Sequence, residues 1–224
     1  MMPSMCKKVV VFDLDDTLYK EIDYLKSAFQ EIADYFRDQY GIYGLWGEML
    51  RYYREKKDAF QEVVDFYKRP VEKSFLLDMY RQHKPNIRLE PETKEVLDAL
   101  HNNSEYEICM ITDGRRVTQW NKIKALGLDK YQKEDLDFLI SEEHGHTKPD
   151  PYAYEMIEAF YPNCTYTYVG DNPAKDFYAA NKLGWKTVCL LDNGRNIHKQ
   201  DFSLADEYLP KYKIESIKEL LSIV

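Results

Sequence analysis

A doubly wound α/β fold, with a parallel sheet and a helical insert after its first strand, is predicted by three features of this 224-residue sequence. Short apolar, β-branched runs alternate with amphipathic helical stretches along most of the chain. Acidic, hydroxyl and basic residues gather just beyond the ends of those runs. Between the first run and the others lies a long stretch in which only helical periodicity recurs. Alternation of this kind implies parallel strands covered on both faces, and open sheets of this class build their sites at the carboxyl ends of the strands.

The first strand is Val9, Val10, Val11 and Phe12, followed at once by Asp13, Leu14, Asp15, Asp16, Thr17 and Leu18. Side chains alternate faces along a strand, so Asp13 and Asp15 are expected to point one way and Leu14 and Asp16 the other. Two carboxylates in one pocket repel unless one is protonated or a cation lies between them, and a divalent metal is the expected remedy. Residues 19–85 then read as the insert. Ile22, Leu25, Phe29, Ile32 and Phe36 form a first stripe that stops near Gly41 and Gly44. Phe60, Val63, Val64 and Tyr67 form a second, ended by Pro70, and Val71, Phe75, Leu76, Met79 and Tyr80 a third before Pro85. Arg51, Arg54, Lys56 and Lys57, interleaved with Tyr52 and Tyr53, read as a solvated basic helix face. Residues 1–18 and 86–224 are expected to form the core, with the insert over its strand ends as a cap.

From Pro91 helices and strands alternate. Val96, Leu97 and Leu100 mark a helix, and strands are expected over 106–112, 138–141, 166–170 and 186–190. Thr112, Asp113 and Gly114 precede a helix with Val117, Trp120, Ile123 and Leu126 on one face. A hydroxyl and a glycine-freed amide at such a turn suit an anionic oxygen. Lys148 supplies a fixed positive charge just before Asp150 caps a helix opened by Pro151. Gly170, Asp171, Asn172, Pro173, Ala174, Lys175 and Asp176 bring further carboxylates to the same kind of turn, with a helix beginning at Asn172 and Pro173.

Taken in order, these segments resemble the motifs of the haloacid dehalogenase superfamily of phosphohydrolases. D-x-D-x-T appears as Asp13, Asp15 and Thr17, the hydroxyl as Thr112, the lysine as Lys148, and G-D-x-x-x-x-D as Gly170, Asp171 and Asp176. The resemblance spans nearly the whole chain. It implies Mg2+-dependent hydrolysis of a small phosphate monoester, a sugar phosphate or nucleoside monophosphate, through an aspartyl-phosphate. Asp13 is then the nucleophile, and Asp15 the acid for the leaving oxygen and the base for water. Thr112, Asp113, Gly114 and Lys148 are expected to hold the phosphate. Asp13, Asp171 and the backbone carbonyl of Asp15 are the expected Mg2+ ligands, with Asp176 either beside the metal or orienting Lys148. Asp113 stands where many relatives have asparagine, so its side chain is expected to turn to Arg115, Arg116 or another donor. The alternatives are a phosphomutase of the same superfamily and a non-catalytic phosphate-binding protein. A dehalogenase needs neither Asp15 nor the metal set, and a response-regulator receiver has no large helical insert.

The net charge of -8 argues against a nucleic-acid surface. Cys6, Cys109, Cys164 and Cys189 include no C-x-x-C pair, which leaves zinc unsupported and reduced thiols as the simplest reading. His144 and His146 read as solvated surface. No stretch reaches signal-peptide or membrane-spanning length, so a cytoplasmic protein without a membrane partner is expected.

Overall fold

The computed structural model describes residues 8–224, and Cys6 lies outside them. β1 (Lys8–Phe12) leads into α1 (Glu21–Tyr40), α2 (Leu45–Arg54), α3 (Ala59–Tyr67) and α4 (Lys73–Gln82). The chain then alternates through α5 (Pro91–His101), β2 (Tyr106–Thr112), α6 (Arg116–Ala125), β3 (Phe138–Ile140), α7 (Ser141–His144) and α8 (Tyr152–Phe160). It ends with β4 (Thr165–Gly170), α9 (Tyr178–Lys182), β5 (Lys186–Leu190) and β6 (Tyr212–Ile214). The six strands lie in the order β3-β2-β1-β4-β5-β6, and every neighbouring pair is parallel.

Strand alternation sorts the core into two layers. Val10, Phe12, Met110 and Val169 pack with Val96, Leu97 and Leu100 of α5 and Ile123 of α6. Val9, Val11, Ile111 and Tyr168 pack on the other face with Tyr154 and Ile157 of α8 and Ala179 and Ala180 of α9. Both faces of β1 are therefore dry, which is why its residues are apolar in succession and not in alternation. Cys109 and Cys189 are fully buried in the second layer.

Several elements differ from the sequence expectation. The third strand stops at Ile140, and Ser141 opens a short helix. The helix expected at Asn172 and Pro173 begins only at Tyr178. The Asp176 carboxylate accepts the N–H groups of Asp171 and Asn172, and the N–H groups of Lys175 and Asp176 both bond to the Asn172 carbonyl, which winds the segment into a turn. β6 has a single buried residue in three, too little to register as periodicity. On α6 the inward positions are Gln119, Lys122 and Ile123, while Val117 is 45% exposed.

The insert has an apolar core of its own. Leu25, Phe29, Ile32 and Phe36 of α1 meet Leu45 and Met49 of α2, Val63 of α3 and Leu76 of α4. Gly41 ends α1 in the left-handed region, φ 64°, with its N–H bonded to the Arg37 carbonyl. At the stem, Ser27 Oγ lies 2.7 Å from His83 Nε2 and accepts the Asn86 N–H at 2.9 Å, while His83 Nδ1 meets Glu31. This chain of polar contacts ties α1 to the strand of chain that returns to the sheet. Among the described residues, no helix is long and apolar enough to cross a membrane.

Asp16 fastens the other side of the stem. It sits at φ 59°, where aspartate and asparagine are tolerated far better than most residues. Its Oδ1 accepts the Glu21 N–H at 2.9 Å and its Oδ2 the Ile197 N–H at 2.8 Å. Asp16→Ala leaves both donors unmatched and is expected to cost about 2–4 kcal/mol in urea unfolding. Asp16→Asn, which keeps one acceptor and the backbone preference, should cost about half as much. Equal losses from the two would assign the effect to charge.

Candidate active site

The carboxyl ends of β1, β2 and β4 open onto a cleft of about 130 Å³, lined by Asp13, Asp15, Asp16, Thr112, Asp113, Lys148, Asp171 and Asp176. It lies beside β1, where the strand order turns in opposite directions and such sheets leave a crevice. A larger hollow of about 630 Å³ lies at the stem of the insert and contains none of these carboxylates.

The N–H of Asp13 bonds to the Val169 carbonyl of β4, which fixes the residue at the strand end. Its side chain is buried, and Oδ1 accepts from Lys148 Nζ at 2.6 Å. The same ammonium bonds to Asp176 Oδ1 at 2.7 Å and to the Tyr168 hydroxyl at 3.2 Å. Asp176 spends its other oxygen on the N–H groups of Asp171 and Asn172, at 3.0 and 2.8 Å. Both of its oxygens are thus committed, so it orients Lys148 and closes the turn. Gly170 precedes that turn because a Cβ there would collide with the Asp176 carboxylate. Asp171 Oδ2 accepts from Asn196 Nδ2 at 2.8 Å.

One expectation about the phosphate-binding turn needs correction, and a second resolves to one of its alternatives. Gly114 donates its N–H to Ser141 Oγ at 2.9 Å, so this amide is engaged by the neighbouring strand end, and Gly114 does not line the cleft. Gly114 is required instead by its φ of 142° and by Gln119, whose side chain would lie 3.1 Å from an added Cβ. The Asp113 side chain turns to neither Arg115 nor Arg116, which pair with Glu142 and Glu143. It accepts the Lys148 N–H at 3.0 Å and lies 3.7 Å from Lys175 Nζ, so it anchors the loop that delivers Lys148. Thr112 is buried, and its Oγ1 accepts from Gln119 Nε2 at 2.6 Å.

Asp13 and Asp15 both line the cleft, but so does Asp16, because strand geometry ends at Phe12 and alternation does not extend into the loop. The Asp15 carboxylate is held by Lys122 at 2.7 and 2.9 Å, the Tyr19 hydroxyl at 2.5 Å and Gln119 Nε2 at 2.9 Å. Sequence reasoning missed Lys122, Gln119, Tyr19 and Asn196. For the first two a signal existed: they sit three residues apart, beside Ile123, on a face that has to be buried. Arg51 and Lys57 pair with Glu55 on the exposed surface of the insert. His146 stacks on Tyr152, with ring centroids 4.2 Å apart, outside the cleft lining.

Burial pushes Asp13 up to about 7 against the opposing pull of Lys148. Burial, with Asp176 and Asp13 nearby, pushes Asp171 up to about 9. Burial also works against the charge on Asp15, but Lys122 and its hydrogen-bonding neighbours outweigh it and hold that carboxyl below its ordinary range. Burial likewise disfavours the Lys148 ammonium, yet Asp13 and Asp176 keep it charged. Oxygens of Asp13, Asp171 and Asp176 lie within 4.8 Å of one another, more negative charge than one lysine offsets. A hard divalent cation fits the oxygens of Asp13 and Asp171, with Asp176 adding negative charge beside them.

The raised carboxyls set a sign for pH dependence. They bind protons in the folded state that the unfolded chain has already released, so stability is lost as pH rises from near 3.8 toward about 9. Metal-free protein is expected to melt at progressively lower temperature across that window. Added Mg2+ should raise the melting temperature, and by more at pH 9 than at pH 6. A Mg2+ effect that shrinks with rising pH would contradict the cluster's role.

Comparison with known proteins bears on this geometry. The chain is 28% identical over 231 residues to a glyceraldehyde 3-phosphate phosphatase of Methanocaldococcus jannaschii, covering 97% of this chain and 96% of that one. A protein of the same name from Pyrococcus abyssi is 29% identical over 199 residues, 81% of this chain and 80% of that one. Among solved structures, the magnesium-bound hydrolase YfnB of Bacillus subtilis superposes with a TM-score of 0.69 at 18% identity, covering 97% and 98% of the two chains. A 2-haloacid dehalogenase of Pseudomonas syringae gives 0.60 at 21% identity, covering 97% of each. Those structures share the fold. Residues 10–190 match the haloacid dehalogenase-like hydrolase family, and the chain belongs to it.

Proposed function

We propose that this hydrolase is a cytoplasmic, Mg2+-dependent phosphatase that cleaves a small phosphate monoester through an aspartyl-phosphate on Asp13. The observation that carries the reading is the state of Asp13 itself. It is buried at the sheet edge with Oδ1 on Lys148, and among the described residues its Oδ2 has no protein partner, in a cleft shared with Thr112 and Asp171. The relatives named glyceraldehyde 3-phosphate phosphatases favour a small sugar phosphate as substrate, and the modest cleft suits one.

Asp13 and Asp171, with the Asp15 carbonyl, would hold Mg2+, which draws phosphate charge toward the nucleophile and relieves the repulsion between the carboxylates. Lys148 neutralises Asp13 and a phosphate oxygen, and the Thr112 hydroxyl is within the same lining. In the first step Asp13 attacks phosphorus and the bond to the ester oxygen breaks. That oxygen takes a proton which the bound monoester monoanion brings and which Asp15, ionised in the resting cleft, passes on. Water then attacks phosphorus, Asp15 takes its proton, and the electron pair of the acyl phosphate bond returns to Asp13. The insert serves as a cap that selects the ester and excludes bulk water.

Phosphate release from a panel of monoesters, including triose phosphates, tests the reading. Turnover is expected with Mg2+, none in excess chelator, and a loss of at least about a thousandfold in Asp13→Asn. Full activity in chelator, or a phosphoenzyme formed by Asp13→Asn, would overturn it. On the insert, Arg51→Ala, Arg54→Ala and Lys57→Ala should leave turnover of p-nitrophenyl phosphate within about twofold, since exposed pairs contribute little. Uniform loss across all esters in folded variants would give that basic face a role beyond solvation.

A further inference from the structure

We propose that Lys122, a core lysine outside all four motifs, is a positioning residue for Asp15 and determines how well the protein handles esters whose leaving oxygen requires a proton. The inference rests on the phosphatase reading above and assigns it a further residue. Lys122 lies on α6, whose buried face carries Gln119 and Lys122 where a helix packed for stability alone would carry apolar side chains. The Lys122 side chain is only 4% exposed, and its ammonium straddles both oxygens of Asp15 at 2.7 and 2.9 Å. An uncompensated buried ammonium is costly, so the pairing is what holds this lysine inside. The Tyr24 ring, with its centroid 4.7 Å from Nζ, closes the other side.

Tyr19 and Gln119 complete the enclosure, each donating to a different oxygen of Asp15. Gln119 donates to Thr112 Oγ1 as well, so one amide spans the proposed acid and the hydroxyl expected at the phosphate. The next anion within reach of Lys122 is Glu21 Oε1, 3.9 Å away in the first turn of α1. The ammonium therefore stands between the core carboxylate and the entrance of the insert.

A group that delivers a proton to a leaving oxygen must aim one oxygen correctly at the moment of bond breaking. Without Lys122, Tyr19 and Gln119 still hold Asp15 in the pocket but no longer fix both of its oxygens from a single point. The consequence depends on the ester. A p-nitrophenolate departs without a proton, whereas an alkoxide does not. A lysine that merely supported the fold would slow both esters alike.

The test is single-turnover release of the alcohol from p-nitrophenyl phosphate and from glycerol 3-phosphate, with full-length protein and Mg2+. Lys122→Met is expected to slow the alkyl ester at least about thirtyfold and the nitrophenyl ester less than about threefold, within the range that general acids contribute. The substrate concentration for half-maximal rate should stay within about threefold for both, and Lys122→Arg should recover most of the alkyl rate. If Lys122→Met does not fold, the Glu21→Gln/Lys122→Met pair removes one of the two carboxylates that the lysine faces and carries the comparison. Equal slowing of both esters, or no slowing, overturns the role of Lys122. Failure of the unmodified protein to release alcohol from either ester overturns the phosphatase reading itself, a separate result.

Discussion

One buried ammonium organises the carboxyl edge of this sheet. Lys148 stands between Asp13 and Asp176, and each contact has a structural consequence. Through Asp176 it is joined to the turn after β4, whose amides that carboxylate collects. Through its own N–H it is joined to Asp113 at the end of β2. Three strand ends are thus tied to one charge, and the carboxylates that would otherwise drive that edge apart are held in register around it.

Much of this was legible in the sequence because the parts depend on local chemistry. β1 was visible as a Val-rich run, the insert as helical stripes, and Lys148 and Asp171 by their place after strands. What could not be read were contacts set by tertiary direction. Gly114 looked like an anion-binding glycine, but Ser141 of the next strand-to-helix turn claims its N–H. Lys122 drew no attention, because lysine is almost never buried without a partner and its partner lies 107 residues away. Asp113 was expected to turn to an arginine or another donor, and which donor it meets, the backbone N–H of Lys148 in a distant loop, is set by the tertiary fold.

The insert and the core meet through polar contacts as much as apolar ones. The loop after β5 sends Ile197 against the insert's apolar cluster, while its backbone N–H rests on Asp16. Its neighbour Asn196 accepts from Lys20 at 2.6 Å and donates to Asp171 at 2.8 Å. Arg195 adds a pair with Asp23 at the base of α1. A carboxylate proposed to hold metal is therefore two hydrogen bonds from the stem of the insert, and any displacement of that stem must repack or break one of them.

The position of β1 also bears on how the chain comes off the ribosome. The central strand of the finished sheet is the first made, and Lys8 lies 98 residues from Tyr106 on its neighbouring strand. The helices that follow contact partners close in sequence, so their stripes can associate while β1 still has two open edges. An unpaired run of Val9, Val10, Val11 and Phe12 is the kind of segment that pairs with other nascent chains. Asp13, Asp15 and Asp16 follow it immediately, with Lys7 and Lys8 before it. Charges so placed act as gatekeepers. The carboxylates that crowd one another in the folded protein keep the waiting strand apart from its copies.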